Sequence, residues 1–227
     1  MTRDGNPVRG RLSRRLIQLY LGLVAYGVSM ALMIRSRLGN MPWDVLHQGI
    51  AQHLGISIGW VAIGVGALAL LAWIPLRQMP GLGTVSNVVV IGLVMDRVLA
   101  VLPDAHPMPL RIVELVGGIV LNGLATGAYI GAGLGPGPRD GLMTGLARRT
   151  GRSIRLVRTG IEVVVVAAGW LLGGVFGVGT LLYAVAIGPL AQLFLPLFTP
   201  GRRTAGTATV APAPAAVDVA VSPAGGS

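Results

Sequence analysis

The chain has 227 residues, 53% hydrophobic and 11% charged, with a mean hydropathy of +0.73. Soluble domains carry about 25% charged residues, so this composition predicts a membrane protein with room for one bundle of about six crossing helices. The absence of cysteine excludes disulfides, thiolate metal sites and a thiol nucleophile. The net charge of +10 comes from arginine alone, without a single lysine. These arginines sit at the ends of apolar segments, where topology signals belong, which argues against a nucleic-acid partner.

Residues 1–15 form a basic N-terminal segment with Arg3, Arg9, Arg11, Arg14 and Arg15. Six apolar stretches follow, at 16–34, 58–77, 84–102, 111–131, 156–175 and 178–198. Each is near the roughly 20 residues that a crossing helix needs. The first is too long for a signal-peptide core and lacks a small-x-small cleavage site, so it reads as an uncleaved span. Arg77, the run Arg139, Arg148, Arg149, Arg152, Arg155 and Arg158, and Arg202 and Arg203 all fall on one side if both termini are cytoplasmic. Only Arg35, Arg37 and Arg111 then lie near the outer face, as the positive-inside rule requires. Residues 201–227 are rich in Ala, Pro and Gly and read as a disordered cytoplasmic tail.

Two shorter segments, 42–54 and 138–150, have 13 residues each, the length class of re-entrant or interfacial helices. Asp44, His47, Gln48, Gln52 and His53 in the first, and Arg139, Asp140, Arg148 and Arg149 in the second, are too polar for lipid. Both are expected to be half-helices.

The chain also repeats itself. Residues 19–99 align with 115–195 at a constant offset of 96, with 26 identities in 81 pairs, and such self-similarity outranks local signals in fixing architecture. The first unit covers 16–102 and the second 111–198. Three spans per unit is an odd number, so the second unit enters the membrane from the opposite side. The expected fold is an all-α polytopic membrane protein, an inverted 3+3 transmembrane repeat with one short half-helix per repeat.

Both half-helices open on Gly-x-x-Pro-x-Asp: Gly39, Pro42 and Asp44, then Gly135, Pro138 and Asp140. Glycine permits the sharp turn, proline suits the first helical position, and aspartate meets the positive end of the helix dipole. On one reading each aspartate only stabilises a helix start. On the other, paired broken helices place a small-solute site near the midplane, with irregular backbone tolerated because it lines a cavity. A bare helix start invites anions, but here an acid already stands there, which favours a cation, a zwitterion or a proton-coupled solute over a phosphate.

The candidate substrate-binding residues are Asp44, Asp140, His47, Arg139, Arg158 and Glu162. Arg158 and Glu162 are four apart and share a helix face; they read either as a gating or coupling pair or as an interfacial ion pair with a snorkelling arginine. Asp44 and His47 share a face as well, as a proton relay or as plain hydrogen-bonding partners. Asp96 and Arg97 read as a structural interfacial pair. Asn87, Asn122, Thr84 and Thr180 either line a polar path or bond across helices. Gly22 and Gly27, Gly118 and Gly123, and Gly169, Gly173 and Gly174 read as seams for close helix approach. The histidines lack the further ligands a metal site needs. No nucleophile elbow, metalloprotease motif or phosphate loop occurs, so neither enzyme activity nor a cofactor is expected. Where the two units differ (Trp43 against Arg139, His47 against Met143, Gly66 against Glu162), any directionality must originate.

The run Gly135-Pro136-Gly137-Pro138-Arg139-Asp140-Gly141-Leu142-Met143-Thr144-Gly145-Leu146, followed by Arg149-Thr150-Gly151-Arg152-Ser153, Val157-Arg158 and Ile161-Glu162, and closing with Gly177-Val178-Gly179-Thr180 and Ile187-Gly188-Pro189, resembles the bacterial YczE family, related to the YyaS and YitT groups. The likeness covers about residues 12–200. It implies a multi-pass protein of the bacterial cytoplasmic membrane; it carries over no substrate or catalytic residues, and the soluble C-terminal domain of the YitT type is absent. The expected function is a small-solute transporter or permease. The alternative is a membrane accessory or regulatory protein acting through protein contacts. Its expected partners are the lipid bilayer and a small solute, with a homo-oligomer left open.

Overall fold

The computed structural model describes residues 7–103 and 107–199, and every regular element among them is helical. The tail expected over 201–227 and residues 1–6 of the basic N-terminal segment lie outside the described residues. Eight helices follow in order: α1 Pro7–Ser36, α2 Pro42–Leu54, α3 Ile58–Trp73, α4 Leu82–Val101, α5 Met108–Gly131, α6 Pro138–Thr150, α7 Ile154–Leu171 and α8 Val178–Phe198.

Local chemistry sets the boundaries of the short helices. Pro42 and Pro138 take the first helical position, where the missing N–H would be unpaired anyway. Gly55 and Gly151 end them in the left-handed conformation, at φ 66° and 67°, the usual glycine stop. Ser153 caps α7, its Oγ accepting from the Leu156 N–H at 3.3 Å. Asp96 does not serve as Arg97's partner. It reaches from α4 to the start of α3, where its carboxylate accepts from the Gly59 N–H at 2.7 Å and from the Ser57 hydroxyl. An acid there satisfies an orphan donor and meets the positive helix end.

Among the described residues four helices are long and apolar enough to cross a membrane, α1 from Leu12, α4, α5 and α8, or five if the bent α2–α3 pair forms one span. The full spans expected at 58–77 and 156–175 are shortened to α3, with 16 residues, and α7, with 18. The α7 stretch also carries Arg155, Arg158 and Glu162. Helices α2 and α3 meet at a bend of 115°.

Helix directions follow from the contacts. Gln18 donates to the Ala128 carbonyl at 2.8 Å, and Arg111 to the Ser36 carbonyl at 2.8 Å, so α1 and α5 run antiparallel. Between these ends, Gly22 lies against the backbone of Tyr129, and Gly118 against that of Ser29 and Met33. Tyr20 bonds Ser86 at 3.2 Å and Gly27 meets Val94, so α4 runs parallel to α1. Gly123, Gly127 and Gly131 meet Leu190, Phe194 and Phe198, so α8 runs parallel to α5. Because α1 and α4 point the same way, the α2–α3 segment brings the chain back between them; α6–α7 does so between α5 and α8.

The core sits where α1 and α5 cross, among Leu19, Leu23, Met30, Met33 and Ile119. Large apolar side chains such as Leu21, Val185 and Leu171 stay exposed on the outer faces, the pattern of helices solvated by lipid.

Candidate functional site

Both turns before the half-helices need glycine. Gly39 and Gly135 have φ of 127° and 129°, a region that L side chains rarely enter. A Cβ on Gly39 would lie 2.7 Å from the Thr180 N, and one on Gly135 2.6 Å from the Thr84 Oγ1. Each turn is clasped by the last helix of the opposite half. The Gly179 N–H donates to the Leu38 carbonyl at 2.8 Å, and the Gly83 N–H to the Leu134 carbonyl at 2.8 Å. Thr84 adds a bond to the Pro136 carbonyl at 2.7 Å and accepts from the Gly81 N–H at 3.2 Å; Thr180 likewise accepts from the Gly177 N–H at 3.3 Å. The two threonines thus act as helix-start and turn fasteners.

The starts of α2 and α6 meet. The Arg139 guanidinium lies 5.0 Å from the centroid of the Trp43 ring, a cation–π distance. Beside it opens a cavity of about 380 Å³, lined by Arg139 and Asp140 of α6, Arg158 of α7, Tyr26 and Tyr129 of α1 and α5, Asn87 of α4, and Tyr183 and Gln192 of α8. Tyr129 donates to the Asp140 Oδ2 at 3.0 Å and stacks edge-on with Tyr26 at 6.1 Å. Arg158 pairs with Glu162 at 2.9 Å, half-exposed.

The other half-helix start is sealed. Asp44 and His47 are fully buried, with Asp44 Oδ1 and His47 Nδ1 3.0 Å apart. Asn40 Oδ1, Trp43 Nε1, Asp44 Oδ2 and His47 Nε2 are buried with no hydrogen-bond partner among the described residues. Orphaned polar atoms cost about 1–3 kcal/mol each, so four within eight residues make this a costly cluster that packing alone does not account for. The six candidate residues therefore separate. Arg139, Asp140 and Arg158 line the cavity, Glu162 stands behind Arg158, and Asp44 and His47 lie apart from it.

Packing explains the difference. Gly169 and Gly174 let α2 lie backbone to backbone on α7, against Val45. The positions 96 away reverse the volumes: Trp73 replaces Gly169 and Gly141 replaces Val45. The Trp73 indole fills the space beside Gly141 and donates to the Pro138 carbonyl at 2.9 Å, holding α6 an indole's thickness from α3. On the sealed side the Gln48 Oε1 accepts from the Asn40 side chain at 2.7 Å and from the Val175 N–H at 2.9 Å. The matching positions are Thr144, Pro136 and Met79, which cannot form that clamp. Helix α3 packs along α4, whereas α7 stands off α8.

Sequence reasoning does not single out the three tyrosines. Their signal is an exchange across the 96-residue offset: Tyr26 matches Asn122, and Asn87 matches Tyr183. Tyr183 donates to the Asn122 Oδ1 at 3.0 Å, and Asn122 to the Ser29 hydroxyl at 2.8 Å. The exchanged pair, Tyr26 and Asn87, faces the cavity.

Residues 13–196 match the family of unknown function DUF6198. An uncharacterized protein of Haemophilus influenzae is 40% identical over 177 residues, covering 78% of this chain and 81% of that protein. The uncharacterized membrane protein YczE of Bacillus subtilis is 35% identical over 190 residues, covering 81% of this chain and 88% of its own. YyaS of the same organism is 26% identical over 181 residues, covering 78% and 90%. No solved structure matches. With its apolar crossing helices and this extent of likeness, the chain belongs to the DUF6198 family, the family of YczE-type membrane proteins.

Proposed function

We propose that the protein is a small-solute transporter of the bacterial cell membrane, built as an inverted repeat and working by alternating access. In this reading both termini are cytoplasmic, α1, α3 and α4 cross in one unit and α5, α7 and α8 in the other, and α2 and α6 enter from opposite faces. The antiparallel run of α1 against α5, which are 96-residue counterparts, supports the inversion. One observation carries the function: matching elements adopt two arrangements, with α6 beside an open cavity and α2 sealed onto α7. Two arrangements of one design, side by side, are what a carrier needs in order to exchange them in time. The cavity then faces the cytoplasm, because Asn87 and Arg158 lie near the cytoplasmic ends of α4 and α7.

The chain's lack of cysteine lets single cysteines report without background. A single cysteine at Asn87→Cys reacts with a membrane-impermeant maleimide from the cytoplasmic face only. One at Met41→Cys, which is buried beside the sealed start, reacts slowly and from the opposite face. Asn87→Cys unreactive from both faces of a folded protein would mean a dry interior and sink the reading. Met41→Cys that never reacts would reduce the cavity to a one-sided vestibule and sink it equally.

A further inference from the structure

We infer that the cavity takes an apolar α-amino acid, bound as the zwitterion. This rests on the transport reading for its purpose, but not for its chemistry. Three charged side chains line the cavity: Arg139, Asp140 and Arg158. Arg158 is already neutralised by Glu162 at 2.9 Å. What remains is one cation and one anion that do not pair with each other: among the described residues no ion pair joins Arg139 and Asp140. Arg139 rests on the Trp43 ring instead. Asp140 receives one hydrogen bond, from Tyr129 to Oδ2, and no donor among the described residues reaches Oδ1.

Arg139 is half-buried and Asp140 exposed along the cavity, and charges left unpaired within the span of a membrane protein mark ligand paths. A carboxylate alone would satisfy Arg139 and leave Asp140 bare; an amine alone would do the reverse. A solute bearing both charges satisfies both, and Arg139 is suited to the carboxylate because its fork can bind two oxygens. The Tyr26 and Tyr129 rings near Asp140 offer aromatic surface to an ammonium. Val88, Ile91 and Ile187 give the wall an apolar stretch that accepts a hydrocarbon side chain. The volume of about 380 Å³ falls in the range of small-molecule sites.

Three solutes of nearly one shape separate the contributions: leucine, 4-methylpentanoate without the ammonium, and 3-methylbutylamine without the carboxylate. Their binding to the purified full-length protein in detergent is measured by calorimetry. Leucine is expected to bind at least tenfold tighter than either single-charge analogue. Arg139→Gln should cost leucine at least tenfold and leave 3-methylbutylamine unchanged; Asp140→Asn should do the converse, sparing 4-methylpentanoate. Arg139→Lys, which keeps the charge, restores part of the leucine affinity and separates loss of the site from loss of the fold. Equal binding of leucine and 4-methylpentanoate, or of leucine and the amine, overturns the inference. So does binding of none of the three by a monodisperse, helical protein. Binding in micelles requires no flux, so failure here leaves the cysteine-labelling outcome standing, and failure there leaves this one.

Discussion

Arg139 and Trp43 touch at 5.0 Å, and they are each other's counterpart at the 96-residue offset. The contact joins the starts of α2 and α6 by a single unlike pair. A double-mutant cycle of Trp43→Phe and Arg139→Gln, read by thermal unfolding in detergent, is expected to show a coupling of about 0.5–2 kcal/mol. Strict additivity would mean that the stacked geometry contributes nothing.

The Gln48 clamp exists on one side only. Removing it with Gln48→Ala deprives the Val175 N–H and the Asn40 amide of a shared acceptor, a loss of about 1–3 kcal/mol. The sealed start should then open more often. Labelling of Met41→Cys from the face opposite the cavity is expected to accelerate about tenfold or more, while Asn87→Cys labelling falls. Thr144→Ala, the corresponding change on the open side, should leave both rates unaltered.

Two glycines of α7 should behave in opposite ways. A Cβ on Gly169 would collide with the backbone of Val45 and Leu46, and backbone atoms cannot step aside. Gly169→Ala is expected to destabilise by about 1–3 kcal/mol or more. Gly160 has nothing within reach of an added Cβ, so Gly160→Ala should stabilise by about 0.5–1 kcal/mol through helix propensity. Melting temperatures of the two variants in one detergent decide the matter.

Asp96→Ala removes the acceptor for the Gly59 N–H and the Ser57 hydroxyl. The expected loss is about 1–2 kcal/mol, read as a lower melting temperature. Arg97→Ala should be near neutral, since Asp96 is engaged elsewhere; an equal loss in both variants would restore the pairing of neighbours.

The two short helices are legible in the sequence: 42–54 and 138–150 are the observed bounds of α2 and α6. Glycine, proline and aspartate act there through local backbone constraints, which a sequence displays directly. The lengths of α3 and α7 are less legible, because apolar residues such as Ile74 and Leu172 continue past the point where the backbone turns. Asp96 misleads because Arg97 is adjacent in sequence while Gly59 is adjacent only in space. The tyrosines and the Gln48 clamp are hidden for a similar reason. Their meaning depends on which helix lies against which, and Tyr183 acquires a role only once α8 is placed beside Asn122 of α5. The separation of Asp44 from Asp140 cannot be read from two identical motifs at all; it is decided by the neighbours that pack on them.

Trp73 and Gly169 stand at matching places, an indole on one side and a hydrogen atom on the other. Their difference is one of excluded volume, and counterions do not screen volume as they screen charge. For all its eighteen arginines, a resting preference for one side, on the transport reading proposed above, is set through steric bulk and should persist unchanged from fresh water to brine.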